Sequence, residues 1–201
     1  MLYGRLENLY KKNQILEQRY PLNEYYPLLR SFIAKEVDLG AEYLSPYRFA
    51  LSYSLPVGEA IRFFIGLADA SNILTQYYKY QCDECDTINI IKDEDSLLNF
   101  ECKECGFQDA LTRKEYLSEV KILFRLDDDI LEETEKSLKD NPLSREGRNA
   151  SEVLGRGIDV EIPIEKMEEV IYDDKHIPIS TTAEERLKKI QRYRAIVEGA
   201  I

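Results

Sequence analysis

The chain has 201 residues, of which 44% are hydrophobic and 32% charged, and its formal net charge is −11. This length suits one large domain or two small ones, with enough apolar residues to fill at least one core. No apolar run approaches the roughly 20 residues that span a bilayer, and the first residues lack the basic-then-apolar pattern of a signal peptide. We therefore expect a cytoplasmic protein without a membrane partner.

The first 38 residues are predicted to be helical. Apolar side chains at helical spacing mark the first face: Leu2, Leu6, Leu9 and Tyr10. Pro21 interrupts this pattern, and a further helix is expected with Pro27 in its first turn and Gly40 after its end.

A pair of helices followed by a strand is predicted next. Ser45 as cap and Pro46 at the first helical position favour a helix to about Tyr53. After a short turn, a second helix is expected over 59–70. The β-branched and aromatic residues of 73–80 then predict a strand that leads into the first cysteine. Residues 1–80 are taken as one helical domain.

Residues 81–109 form a predicted cysteine module, the most acidic part of the chain. The segment 82–109 carries 2 Lys/Arg against 9 Asp/Glu. Short strands are expected over 88–91 and 97–100, joined by an acidic loop. A capping box from Thr112 to Glu115 then predicts one helix through residues 110–140, packed on the preceding regions.

The end of the chain is predicted to contain a linker and a helical region. Residues 141–163 are rich in Pro, Gly, Asn and Ser, which break any periodicity. Within 164–201, a last helix is expected with Thr181 or Thr182 as its cap. Ion pairs between Glu184 and Lys188, and between Glu185 and Lys189, are expected on its exposed side.

Four cysteines in two close pairs indicate a metal site: Cys82, Cys85, Cys102 and Cys105. Thiolates are soft anionic ligands, and zinc takes four of them tetrahedrally at about 2.3 Å. A two-residue gap lets both sulfurs of a pair face one ion, and the N–H groups of the turn can donate to the sulfurs. Four protein ligands leave no open coordination position, so the predicted zinc is structural. No Cys/His or Ser/His/Asp arrangement can be argued from the remaining residues, so the protein is not expected to be an enzyme.

Other chemistries remain open for the same cysteines. Two disulfides or free buried thiols are alternatives to a metal. Iron could replace zinc, because a tetrahedral set of sulfurs suits both metals.

The cysteine module resembles a zinc ribbon over about residues 77–109. The resemblance rests on the four cysteines, the aromatic strand 77–80 and the dipeptide Cys105-Gly106, and it departs from the usual form at Asp86, where glycine is common. Residues 28–80 resemble a winged-helix domain in outline. Together they imply an α+β, mostly helical fold, in which a winged-helix-like region precedes or contains the ribbon, and a setting in transcription-related or adaptor proteins.

Nucleic-acid binding is the alternative function that this resemblance implies. Arg48, Arg62 and Lys79 are the candidate residues for it. The predicted second helix, however, is apolar around most of its circumference, which favours burial over DNA reading. The acidic ribbon would also repel phosphate.

We therefore expect a non-enzymatic interaction protein, an accessory or regulatory subunit that binds a protein partner or a second copy of itself. Two other groups could carry chemistry but are interpreted as structural. Asp127, Asp128 and Asp129 form an acidic run expected to be solvated, and His176, the single histidine, is expected in a turn.

Overall fold

The computed structural model describes residues 1–70, 72–140, 162–172 and 176–199. More of them lie in helices than in strands, which confirms the predicted α+β class. None of the described helices has the length and apolar character needed to cross a bilayer.

The elements are numbered in chain order. The α-helices are α1 (Leu2–Lys12), α2 (Gln14–Arg19), α3 (Leu22–Asp38), α4 (Pro46–Tyr53), α5 (Val57–Leu67), α6 (Glu94–Leu98), α7 (Asp128–Asp140), α8 (Met167–Ile171) and α9 (Thr181–Val197). The β-strands are β1 (Tyr43–Leu44), β2 (Leu74–Gln81), β3 (Ile88–Ile91), β4 (Phe100–Glu101), β5 (Gln108–Asp109), β6 (Lys121–Leu126) and β7 (Ile162–Pro163).

The chain divides into two compact units. The helical unit comprises Met1–Thr75 and Phe124–Val160, and the cysteine unit comprises Gln76–Leu123 and Glu161–Ile201. Strands β2 and β6 each contribute residues to both units. The main sheet has the strand order β1-β6-β2-β3, with β7 also paired to β6, and β4 and β5 form a separate hairpin.

The helical unit is built around aromatic side chains from α3, α4 and α5. Phe32 lies 5.2 Å from Phe49, and Phe49 lies 5.5 Å from Phe64, measured between ring centroids in edge-on arrangements. All three rings are buried. Such rings bury large apolar areas and add about 0.5–1.5 kcal/mol per pair beyond that burial.

Helices α4 and α5 confirm the two helices predicted here, but α5 begins earlier than predicted. The Ser45 hydroxyl accepts a hydrogen bond from the backbone N–H of Arg48, and Pro46 starts α4, as expected. Helix α5 begins at Val57, before the predicted Glu59. It is buried along most of its length, which confirms the expectation drawn from its apolar circumference.

Two predicted elements between residues 97 and 140 were wrong. Of residues 97–100, expected as a strand, only Phe100 lies in one, at the start of β4, whereas Leu97 and Leu98 end α6. Asp93 caps this helix by accepting from the backbone N–H of Ser96 at 2.8 Å. The single helix expected through 110–140 is instead a 3₁₀ turn at Lys114–Tyr116, then β6, then α7. Burial alternates along β6, which is the period of a strand.

The C-terminal region differs from the prediction at its cap. Ser180, rather than Thr181 or Thr182, caps α9 by accepting from the backbone N–H of Ala183 at 3.0 Å. The Glu184–Lys188 ion pair is confirmed at 2.8 Å, whereas Lys189 pairs with Asp95. The predicted linker 141–163 lies outside the described residues, except for its last two, which form β7.

Candidate metal centre

The two cysteine pairs occupy two turns with the same backbone geometry. The first turn joins β2 to β3, and the second joins β4 to β5. In the first, the N–H of Cys82 donates to the carbonyl of Thr87 at 2.9 Å, and the N–H of Asp86 donates to the carbonyl of Cys82 at 2.8 Å. These turns are named the first and second knuckle.

The second knuckle repeats these bonds residue for residue. The N–H of Cys102 donates to the carbonyl of Phe107 at 2.8 Å, and the N–H of Gly106 donates to the carbonyl of Cys102 at 3.0 Å. Asp86 therefore holds the position that Gly106 holds in the second knuckle. Both are left-handed, with φ of 59° and 72° respectively.

The knuckles bring all four sulfurs together. The Sγ atoms of Cys82 and Cys105 are 3.7 Å apart, those of Cys85 and Cys102 are 3.6 Å apart, and all four lie within 4.8 Å of one another. Four sulfurs at about 2.3 Å from a central ion in a tetrahedron would be about 3.8 Å apart. A disulfide would need a separation of about 2.05 Å, so the disulfide alternative does not fit this arrangement.

Backbone N–H groups of each knuckle point at its first sulfur. Those of Cys105 and Glu104 donate to Cys102, and together with the Asn89 side chain they lower the pKa of Cys102 to about 6. Burial raises the pKa of Cys82, although Glu84 and Cys85 donate to it in the same way. These donors match the expectation that each turn would stabilise thiolate charge. Cys82 and Cys102 are buried, whereas Cys105 faces solvent.

Aromatic residues hold the two hairpins against each other. The Tyr80 ring lies 5.3 Å from Phe100 and 5.7 Å from Tyr116, in both cases edge-on. The Tyr80 hydroxyl donates to Asp83 in the first knuckle, and the Tyr116 hydroxyl donates to Asp109 at the end of β5. Two-residue strands such as β4 and β5 contribute little stability alone, so these contacts support the geometry of the knuckles.

Acidic residues between the cysteine pairs are bound by α9. Glu94, which is 6% exposed, accepts a hydrogen bond of 2.5 Å from Tyr78 and has Arg186 at 3.8 Å. Asp95 is bound by Lys189 at 2.6 Å and by the hydroxyl of Tyr193. The acidic segment expected as a loop is thus a helix docked on the C-terminal helix.

The three candidate nucleic-acid-binding residues are each engaged within the protein. Arg48 pairs with the buried Glu36 at 3.0 Å, and Arg62 pairs with Glu59 at 2.6 Å. Both belong to the helical unit, whereas Lys79 lies in the cysteine unit. There it borders a groove of about 310 Å³ whose other charged residues are Asp83, Asp86, Glu119 and Lys121.

The acidic run at 127–129 is neutralised by arginines. Arg5 pairs with Asp127 and with Asp129, and Arg125 pairs with Asp128 at 2.7 Å. His176 has a positive φ of 60° and stacks on Tyr172 with ring centroids 4.4 Å apart.

Asn89 is the residue of the site that the sequence did not indicate. It is buried in β3 opposite Tyr80, and its side chain reaches the second knuckle. An asparagine in a short apolar strand is a weak sequence signal of such a role.

Comparisons with known proteins returned nothing: no family model, no curated protein and no solved structure matches this chain. The geometry of the four cysteines therefore carries the functional argument.

Proposed function

We propose that this is a non-enzymatic interaction protein, an accessory or regulatory subunit of a larger assembly, whose cysteine unit is held by one structural zinc ion. The observation that carries the proposal is the convergence of four sulfurs from two knuckles of the same backbone geometry within 4.8 Å. The donor set of four thiolates fits zinc, and Cys82, Cys85, Cys102 and Cys105 would hold it.

The chemistry of these ligands favours a structural role for the ion. Four thiolates complete a tetrahedral shell, so no position is left for a substrate or a reactive water. Zinc in such sites contributes roughly 10 kcal/mol or more to folding. Strands as short as β4 and β5 need such a contribution.

Charge and burial favour a protein partner over a nucleic acid. Residues 49–58, from α4 into the start of α5, contain no charged side chain, and Leu51 in this stretch is 83% exposed. Phosphate binding depends on accessible cations. Arg48 and Arg62 on either side of the stretch are held in ion pairs.

A nucleic-acid-binding regulator is the second candidate, and one observation favours it. The order α3-β1-α4-α5-β2-β6, with β6 between β1 and β2 in the sheet, resembles the outline of a winged helix. In that assignment the cysteine module occupies the wing, between β2 and β6. Helix α5 would be the recognition helix. Because α5 is buried along most of its length, DNA recognition by this helix is disfavoured.

A tagged pull-down from the native cell, split into nuclease-treated and untreated halves, distinguishes the two candidates. We expect a defined protein that remains after nuclease treatment and is lost when Cys102→Ser disrupts the second knuckle. Direct titration with labelled DNA and RNA at 50 and 200 mM salt completes the test. Binding that weakens steeply with salt, with no nuclease-resistant partner, would establish the regulator instead.

A further inference from the structure

One buried amide side chain connects the two knuckles. Asn89 is 2% exposed and lies in β3, directly after the first knuckle. Its Nδ2 group donates to the carbonyl of Thr87 at 3.0 Å and lies 3.6 Å from the sulfur of Cys102. Its Oδ1 atom accepts from the backbone N–H of Lys103 at 3.3 Å.

These contacts need both halves of an amide. The donor half supports thiolate charge on Cys102, and the acceptor half satisfies a backbone N–H in the middle of the second knuckle. Aspartate has a similar shape, but it would place a carboxylate oxygen beside the thiolate. An aliphatic side chain would leave the N–H of Lys103 without this acceptor, at a cost of about 1–3 kcal/mol where it is buried.

We propose that Asn89 is a positioning residue of the metal centre, which orients Cys102 and fixes the second knuckle relative to the first. The proposal rests on the proposed metal site. Partners of this kind, one step removed from the metal, typically change metal affinity 10- to 100-fold when they are replaced.

Cobalt(II) is the probe for the test, because its absorption reports both tetrahedral geometry and charge transfer from the sulfurs. Purified full-length protein is titrated with Co²⁺ under reducing conditions, and affinity is measured by competition with a chelator. The variants are Asn89→Asp and Asn89→Ser. Asn99→Asp is the charge-matched control, because Asn99 is exposed and its amide donates to the carbonyl of Asp95.

We expect Asn89→Asp to weaken Co²⁺ binding 10- to 100-fold, and Asn89→Ser to weaken it less, because a hydroxyl can replace one hydrogen bond. The charge-transfer band should move to lower energy in both variants at saturating Co²⁺, since the sulfur of Cys102 loses a donor. Asn99→Asp should stay within threefold of the parent protein, with an unmoved band. A packing variant, Phe100→Leu, should lower stability without moving the band.

The outcomes separate this inference from the proposed function. If the parent protein with four reduced thiols binds no Co²⁺, the metal site itself is wrong. If the parent binds Co²⁺ and both Asn89 variants match it in affinity and band position, Asn89 has no positioning role. Should Asn89→Asp fail to fold with metal present, the band of Asn89→Ser decides the question.

Discussion

Asp86 and Gly106 occupy equivalent positions in the two knuckles. Both have a left-handed backbone conformation, although only one of them is a glycine. A residue with a side chain typically lowers the free energy of unfolding by about 1–2 kcal/mol in this conformation. Asp and Asn lower it less, because their side chains can form local hydrogen bonds. Open space surrounds Gly106, so a methyl group there meets no steric obstacle beyond the backbone itself. The knuckle needs the conformation, and Asp86 shows that aspartate can supply it.

We therefore predict that Gly106→Ala destabilises the metal-loaded protein by about 1–2 kcal/mol, and that Gly106→Asp costs less. Asp86→Gly should be neutral or stabilising by up to about 1 kcal/mol, since relief of strain offsets the added freedom of the unfolded chain. Urea unfolding in the presence of zinc measures these differences. Equal stabilities for Gly106→Ala and the parent protein would contradict the shared-knuckle geometry.

Proton release on metal binding follows from the pKa of Cys102. With that pKa lowered to about 6, Cys102 is mostly a thiolate at pH 7.4 before metal arrives. Burial raises the pKa of Cys82, so Cys82 stays protonated at that pH. Zinc binding at pH 7.4 should then release fewer than four protons, and affinity should fall as pH drops through 6, because protons compete for Cys102 as well. Calorimetry in buffers of different ionisation enthalpy counts the protons, and a release of four at pH 7.4 would contradict the lowered pKa.

The sequence could indicate the four cysteines and Gly106 because their spacing is local. It could not indicate Asn89, whose role depends on β3 lying beside a turn 13 residues away. The arginine that pairs with Asp127 and Asp129 could not be predicted for the same reason. Arg5 is more than 120 residues away along the chain.

Helices α6 and α9 form the polar contact that binds the segment between the two cysteine pairs to the C-terminal helix. Glu94 is nearly inaccessible, accepts a hydrogen bond from Tyr78 and lies 3.8 Å from Arg186. Gln76 in turn donates to the Tyr78 hydroxyl, and its backbone carbonyl accepts from Arg186. Burial and the Glu94 carboxylate raise the pKa of Tyr78 well above its usual value, so this hydroxyl remains a donor at physiological pH. Removing one partner from such a group leaves a buried charge unpaired.

Arg186→Met is predicted to destabilise the protein by about 2 kcal/mol, below the full value for a buried pair because the arginine side chain is 22% exposed. Adding Glu94→Gln should recover part of this loss, because the uncompensated charge is then gone. Arg192→Met, at an exposed position on the same helix, serves as the control and should stay within about 0.5 kcal/mol. Additive effects of the two substitutions in denaturant unfolding would show that Arg186 and Glu94 do not interact.

Element type was predictable where the pattern was long and the partners local. The apolar circumference of α5 and the Ser45-Pro46 start of α4 led to correct predictions. The apolar pair Leu97-Leu98 suited a helix or a strand equally, and the cap at Asp93 decided for the helix. Strand β6 was missed because its partners, β1 and β7, are distant in sequence, and they determine its conformation.

For the whole molecule, the sequence indicated class and charge but not the division into units. Each unit takes two segments of the chain, and β2 and β6 contribute residues to both. From the sequence, residues 110–140 were predicted to form one helix packed on the preceding regions. In the structure, residues 110–123 belong to the cysteine unit and residues 124–140 to the helical unit. Such a division follows from long-range pairing, which composition and periodicity do not contain.

Metal analysis of the protein purified from its native cell, without added zinc, tests the proposed zinc site. Elemental mass spectrometry should find one equivalent of zinc per chain, with four thiols that react only after chelation or denaturation. Cys102→Ser should lower the zinc content substantially, whereas Asn99→Asp should leave it unchanged. Less than about half an equivalent of any metal in protein with four reduced, reactive thiols would contradict the proposed metal site. One equivalent of iron would support the site but show that its ion is iron.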